Sequence, residues 1–138
     1  MTNTFKNVVK PIQQAQSWQQ KYREIMLLGK TLPALADVLK TNDALVPGCE
    51  SKVWMFMEFD DSENRLVVIG DSDTRIVKGL LAIILALYNG LTPEEVVNIN
   101  AYDEFEKLGL IKHLSASRGN GIKAMVEAIQ SMATNKLN

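Results

Sequence analysis

The sequence predicts an α+β fold, a small antiparallel sheet of about three strands packed with helices, and three observations carry that prediction. The stretch Val53–Phe59 reads Val-Trp-Met-Phe-Met-Glu-Phe, dense in aromatic and β-compatible side chains. After the polar turn Asp60-Asp61-Ser62-Glu63-Asn64 comes Leu66-Val67-Val68-Ile69, which completes a β-hairpin. Outside this pair the apolar residues recur at helical spacing, so strands and helices are segregated rather than alternating.

In chain order, Phe5, Val8, Val9 and Ile12 form a short amphipathic helix that should break near Pro11. Ser17-Trp18-Gln19-Gln20 has the form of a capping box, with Ser at the N-cap and Gln three residues on. Trp18, Tyr22, Ile25 and Met26 make the apolar stripe of the next helix, with Gly29 as a left-handed cap and Pro33 as a stop. Residues 35–48 are irregular and end in the turn-forming Val46-Pro47-Gly48. An isolated two-stranded sheet is poorly stable, so a third strand is expected near Ala44-Leu45-Val46. The first hairpin strand should be buried on both faces at its start. Asp71-Ser72-Asp73 can cap a long apolar helix from about Thr74 to Tyr88, closed by Gly90. Thr92-Pro93-Glu94-Glu95 is a second strong start, and a helix through Asp103 to Leu108 ends at Gly109. The last helix carries Ile122, Met125, Val126, Ile129 and Met132 on one stripe.

At 138 residues, with no internal repeat and no Pro/Gly/Ser linker, a single domain over residues 1–138 is expected. Lys plus Arg is 15 and Asp plus Glu is 16, a balance that argues against nucleic acid or an anionic membrane as a partner. The longest apolar run, Leu80–Tyr88, falls well short of the roughly 20 residues of a membrane span. The first residues lack the apolar stretch of a secretory signal. A cytoplasmic location is expected, where a thiol stays reduced.

One cysteine and one histidine exclude an internal disulfide and the usual Cys/His zinc sites, so no metal is expected. An unpaired cysteine is commonly a small buried hydrophobe. Cys49, however, follows Pro47-Gly48 and precedes Glu50-Ser51-Lys52, a polar loop in which Gly48 permits a sharp turn and Lys52 could favour the thiolate. A Cys–His hydrolase would need His113 as base, but Ile111-Lys112-His113-Leu114 better fits a hydrogen-bonded structural histidine. Thiol exchange needs no such base: one cysteine, a sheltering pocket and a docking surface suffice to accept sulfur from a partner's persulfide. Gly70-Asp71-Ser72-Asp73 lacks the spacing and distal Glu of a calcium loop. Leu114–Gly121 precedes a helix and could hold an anion on its amides, but it has no Walker lysine; Arg118 there fits a docking or salt-bridge residue.

Four motifs in order resemble the SufE/CsdE family of sulfur acceptors: Gly48-Cys49-x-Ser51-x-Val53-Trp54, Gly70-Asp71-Ser72-Asp73, Ile76-Val77-Lys78-Gly79-Leu80 and Leu114-Ser115-x-Ser117-Arg118-x-x-Gly121. Trp18-x-x-Lys21-Tyr22-x-x-Ile25-x-x-Leu28-Gly29-Lys30 also fits, and the likeness runs from about Trp18 to Ala133, closer to CsdE over Trp18–Leu35. The first fifteen residues match no family pattern. The resemblance implies a SufE/IscU-like fold in which Cys49 accepts sulfane sulfur from a SufS- or CsdA-like cysteine desulfurase, stimulates that enzyme, and passes the sulfur on to a SufB-like scaffold for Fe–S cluster assembly. It implies a sulfur-transfer accessory protein rather than an enzyme, with no cofactor of its own; pyridoxal phosphate would reside on the desulfurase. Gly48, Glu50, Asp71, Asp73 and Arg118 are expected as supporting or partner-contact residues around Cys49. The alternatives are an IscU-like Fe–S scaffold, which one cysteine and one histidine are too few to build, and a sulfur donor to a tRNA-modification enzyme. A homodimer stays open.

Overall fold

The computed structural model describes residues 2–138. These residues form six α-helices and one β-hairpin: α1 (Asn3–Gln14), α2 (Trp18–Gly29), β1 (Val53–Phe59), β2 (Leu66–Ser72), α3 (Arg75–Tyr88), α4 (Pro93–Asn98), α5 (Ala101–Lys107) and α6 (Ala116–Leu137). The fold is α+β, as the sequence predicts. Helix α3 is its axis. Apart from Arg75, Lys78 and Ala86 every residue of α3 is buried, because β2, α1, α2 and α6 all pack against it.

The strands pair antiparallel with Trp54 opposite Asp71, Phe56 opposite Ile69 and Glu58 opposite Val67. Val53, Trp54 and Met55 are all buried, so the start of β1 is covered on both faces as expected. The third strand does not form. Ala44–Val46 contributes a single bridge, Leu45 to Trp54, and one further hydrogen bond from Val46 N–H to Val53 O at 2.8 Å. Pro47 comes next, has no N–H to extend the ladder, and ends the pairing.

Four other expectations are corrected. Helix α1 runs a turn beyond Pro11: the ring faces solvent, Ile12 is buried on the core, and Ala15 N–H closes the end on Pro11 O and Ile12 O. Gly29 is not a left-handed cap, since the helix ends on Lys30 at φ −68°. Its lack of a side chain serves a helix crossing instead. A Cβ on Gly29 would lie 2.9 Å from Gly79 N, and one on Gly79 would lie 2.1 Å from Ile25 O, so α2 and α3 touch backbone to backbone. Asp71-Ser72-Asp73 does not cap α3, because β2 continues to Ser72 and Thr74 occupies the N-cap. Residues 116–121 are not a loop before a helix but the opening of α6, with Ser115 Oγ accepting from Arg118 N–H at 3.3 Å.

Other predicted signals hold. Ser17 Oγ accepts from Gln20 N–H at 3.2 Å, although Gln20 reaches back to Gln16 N–H rather than completing the box on Ser17. Thr92 and Glu95 form a full capping box with Pro93 at N1. Lys21 explains its place beside Trp18: its Nζ donates to Ile12 O at 2.9 Å and Leu108 O at 3.3 Å, joining the C-terminal ends of α1 and α5. The chain kinks between α4 and α5 where the buried Tyr88 hydroxyl donates to Ile99 O at 2.8 Å and accepts from Ala101 N–H at 3.1 Å. Among the described residues no helix is long and apolar enough to cross a membrane.

The α2–α3 crossing gives a test in which one chemical change acts in opposite directions. Gly79→Ala forces a methyl group into the Ile25 carbonyl and should lower unfolding free energy by about 3 kcal/mol. Gly119→Ala, in α6 with open space around it, should raise stability by about 0.5–1 kcal/mol through helix propensity. Urea unfolding midpoints check both, and a neutral Gly79→Ala would refute the backbone contact.

Candidate functional site

Cys49 sits where the failed third strand turns away from the sheet. Gly48 adopts φ +88°, a left-handed conformation that L side chains rarely adopt, and this directs Cys49 back onto α6. The thiol is half-buried and donates to Gly121 O at 3.6 Å. Beneath it is a cavity of about 10 Å³, scarcely one water, walled by Val77 and Leu80 of α3 and by Met125, Gly121, Ser117 and Arg118 of α6. Burial pushes the Cys49 thiol above its ordinary pKa. The expected support from Lys52 is therefore absent: burial alone acts on the thiol, and Lys52 is exposed and serves the loop through its backbone.

The segment Gly70–Asp73 holds the loop from the other side. Asp73 Oδ1 accepts from Lys52 N–H at 3.2 Å, and Ser72 Oγ donates to Lys52 O at 2.8 Å. The Thr74 hydroxyl lies 3.1 Å from Ser51 Oγ and 3.0 Å from Asp73 Oδ1. On the α6 side Ser117 Oγ donates to the Glu50 carboxylate. Gly48, Cys49, Glu50, Asp73 and Arg118 thus converge on one loop.

Asp71 stands apart from the cavity and has a different task. It is 3% exposed and is the one buried charged side chain among the described residues. Burial raises its pKa, yet the N–H groups of Leu35 (3.1 Å) and Ser72 (2.8 Å) and the Lys78 ammonium (3.2 Å) outweigh that, and the net shift is downward. Lys40 adds a further contact at 3.7 Å while its ammonium lies over the Trp54 ring. Asp71 therefore clips the 35–40 segment and α3 to β2.

His113 is not a partner of Cys49. It is exposed on a single 3-10 turn and stacks on Trp18, with centroids 4.9 Å apart and planes 18° apart, and it does not line the cavity. A stacked surface ring replaces the expected hydrogen-bonded histidine, and a Cys–His hydrolase loses its base. Among the described residues no three His, Cys, Asp or Glu side chains gather to hold a metal ion. A cleft of about 640 Å³ between α1, α2, α3 and β2 is lined by no charged residue, cysteine or histidine and shares no lining residue with the Cys49 cavity. Sequence reasoning missed the Gly121 carbonyl and the walls Val77, Leu80 and Met125. The walls belong to the helical stripes, but no sequence signal marks a carbonyl as a thiol acceptor.

Comparison with known proteins adds the family. The model of the SufE family, described as an Fe-S metabolism associated domain, matches residues 6–133. This chain belongs to that family. An uncharacterized SufE-like protein of Rhizobium meliloti (strain 1021) is 42% identical over 122 residues, covering 87% of each chain. The solution structure of a hypothetical protein from Thermus thermophilus superposes with a TM-score of 0.74 at 12% identity, over 97% of this chain and 96% of that one; at that identity the likeness is one of fold. The SufE match begins within α1, so it includes most of the first fifteen residues, where the motifs alone show no family pattern.

Asp71→Asn keeps the shape and removes the charge, and should cost about 2–3 kcal/mol at neutral pH. Because the folded-state pKa is lowered, the carboxylate's contribution is complete above the unfolded value of about 3.9 and is lost as pH falls through the folded value beneath it. Urea unfolding from neutral pH to pH 3 should therefore show the wild type and Asp71→Asn converging only at the acid end. A constant difference throughout would assign the loss to packing.

Proposed function

We propose that this SufE-family protein is a sulfur carrier that accepts sulfane sulfur as a persulfide on Cys49. The donor is the persulfide of a cysteine desulfurase, whose pyridoxal phosphate belongs to that partner. The Cys49 thiolate attacks the outer sulfur of the donor, R–S–SH. A new S–S bond forms on Cys49, the donor S–S bond breaks, and the proton given up by Cys49 passes to the departing R–S⁻. The products are Cys49–S–SH and R–SH, with no external oxidant or reductant.

The observation that carries this reading is a lone thiol on a loop turned by Gly48, folded over a small cavity that no histidine lines. Such a site is poor for hydrolysis, since a thiol raised by burial is a slow nucleophile and has no histidine beside it to deprotonate it. It suits a carrier, because the resting thiol is shielded and becomes reactive when the loop lifts toward a docked partner. The motif order around Cys49 supports stimulation of the desulfurase and onward delivery to a SufB-like scaffold for Fe–S assembly. The pattern from Trp18 to Leu35 supports a CsdE-type partnership with a CsdA-like desulfurase over a SufS-like one. One cysteine and no ligand cluster among the described residues disfavour a scaffold.

Intact mass after incubation with desulfurase and free cysteine tests the central step. The wild type should gain the mass of one sulfur atom, removable by reductant. Cys49→Ser should gain none and leave desulfurase turnover at its basal rate, with unchanged circular dichroism because the substitution is nearly isosteric. Full stimulation by Cys49→Ser would defeat the acceptor role.

A further inference from the structure

The loop that carries Cys49 is held unevenly. Its far end is fixed to β2 and to the residues before α3, where Lys52 N–H meets Asp73 Oδ1 at 3.2 Å and Lys52 O accepts from both Ser72 Oγ at 2.8 Å and Asp73 N–H at 3.2 Å. Its near end is fixed by Val46 N–H on Val53 O at 2.8 Å. Between these anchors Pro47–Glu50 makes two hydrogen bonds among the described residues, both to α6. One is the Cys49 thiol on Gly121 O, long at 3.6 Å and from a weak donor. The other is Ser117 Oγ–H on the Glu50 carboxylate, with a charge-bearing acceptor placed at the first turn of α6, where negative charge is favoured. The carboxylate bond, with its charged acceptor, is the stronger of the two.

We propose that Glu50 is a positioning residue for Cys49: with Ser117 it forms a latch that holds residues 47–50 down on α6, and its release exposes the thiol. The thiol can move with the segment because Gly48 supplies a left-handed hinge just before Cys49 and the Lys52 anchor fixes the chain after Glu50. The latch serves sulfur transfer if the carrier reading holds, but its geometry can be tested without a partner. The charged groups at the cavity are Glu50 from the loop and Arg118 from α6; α3 contributes only Val77 and Leu80. Opening the latch therefore changes the thiol's environment chiefly by hydrating it.

Cys49 is the sole cysteine, so alkylation of the full-length protein by iodoacetamide, read by intact mass, reports on it alone. Glu50→Ala and Ser117→Ala should each raise the alkylation rate on the order of tenfold at neutral pH, as loss of a hydrogen bond to a charged group would. The double variant should match the single variants rather than multiply their effects, because both remove one bond. Ser117→Thr keeps the hydroxyl and should stay near the wild-type rate. In the wild type the pH midpoint of alkylation should lie above that of an ordinary thiol, and in both alanine variants it should move down toward it. A merely structural role would lower the melting temperature without moving that midpoint. Wild-type alkylation rates in the alanine variants, multiplicative effects in the double variant, or a stability loss with an unchanged pH profile would each overturn the latch. Absent persulfide uptake beside the expected alkylation pattern would strike the carrier reading alone. Normal uptake beside unchanged alkylation would strike the latch alone.

Discussion

The structure depends on one close contact, the approach of α2 to α3 that the missing side chain of Gly79 allows. A Cβ there would stand 2.1 Å from the Ile25 carbonyl, so the axial position of α3 is set by backbone meeting backbone rather than by adjustable side chains. Consecutive residues at that point then face different ways. Lys78 turns to Asp71 at 3.2 Å, Gly79 turns to α2, and Val77 and Leu80 turn to the wall behind Cys49. A displacement of α3 would disturb the salt bridge, the helix crossing and the thiol's cavity together. The short stretch from Val77 to Leu80 thus couples the core to the site, although none of these residues performs chemistry.

The thiol's environment follows from what that frame leaves open. The cavity beneath Cys49 is barely the size of a water molecule, and burial in the closed loop raises the thiol's pKa and keeps it protonated at neutral pH. A carrier gains from this arrangement, since a permanently exposed thiolate would be consumed by oxidants and small electrophiles. The same burial slows any reaction in the closed state. Under the proposed latch, shelter and reactivity belong to two positions of one loop rather than to a compromise between them.

The strong sequence signals were those in which local chemistry and burial agree. The hairpin, the apolar α3, the Thr92 capping box and the stripe of α6 are each written in a few adjacent residues, and tertiary structure leaves them intact. The signals that failed were overridden from elsewhere in the chain. Gly29 looks like a cap until Gly79, fifty residues on, is seen to need the space. Asp71-Ser72-Asp73 looks like a cap until β1 pairs with it and draws Asp71 and Ser72 into the sheet. Cys49 was legible because it is the only thiol and stands between turn-formers, and Glu50, Asp73 and Arg118 followed from the motifs. The Gly121 carbonyl was not legible, because a main-chain oxygen has no letter in the sequence.

The distribution of polar contacts around the loop has a last consequence for how motion and stability are divided. Asp71, with its four partners, ties the 35–40 segment, β2 and α3 together into a densely bonded, rigid part of the protein. The bonds at Lys52 and Val46 bracket the cysteine segment and join it to that rigid part. Residues 47–50 bury little apolar surface: Pro47, Gly48 and Glu50 are exposed, and Cys49 is half-buried. Lifting them costs little beyond two hydrogen bonds, whereas moving the anchors would disrupt the sheet. In the proposed latch the exposure of Cys49 leaves the core intact, and the distance the thiol can travel is limited by the short chain between Val46 and Lys52.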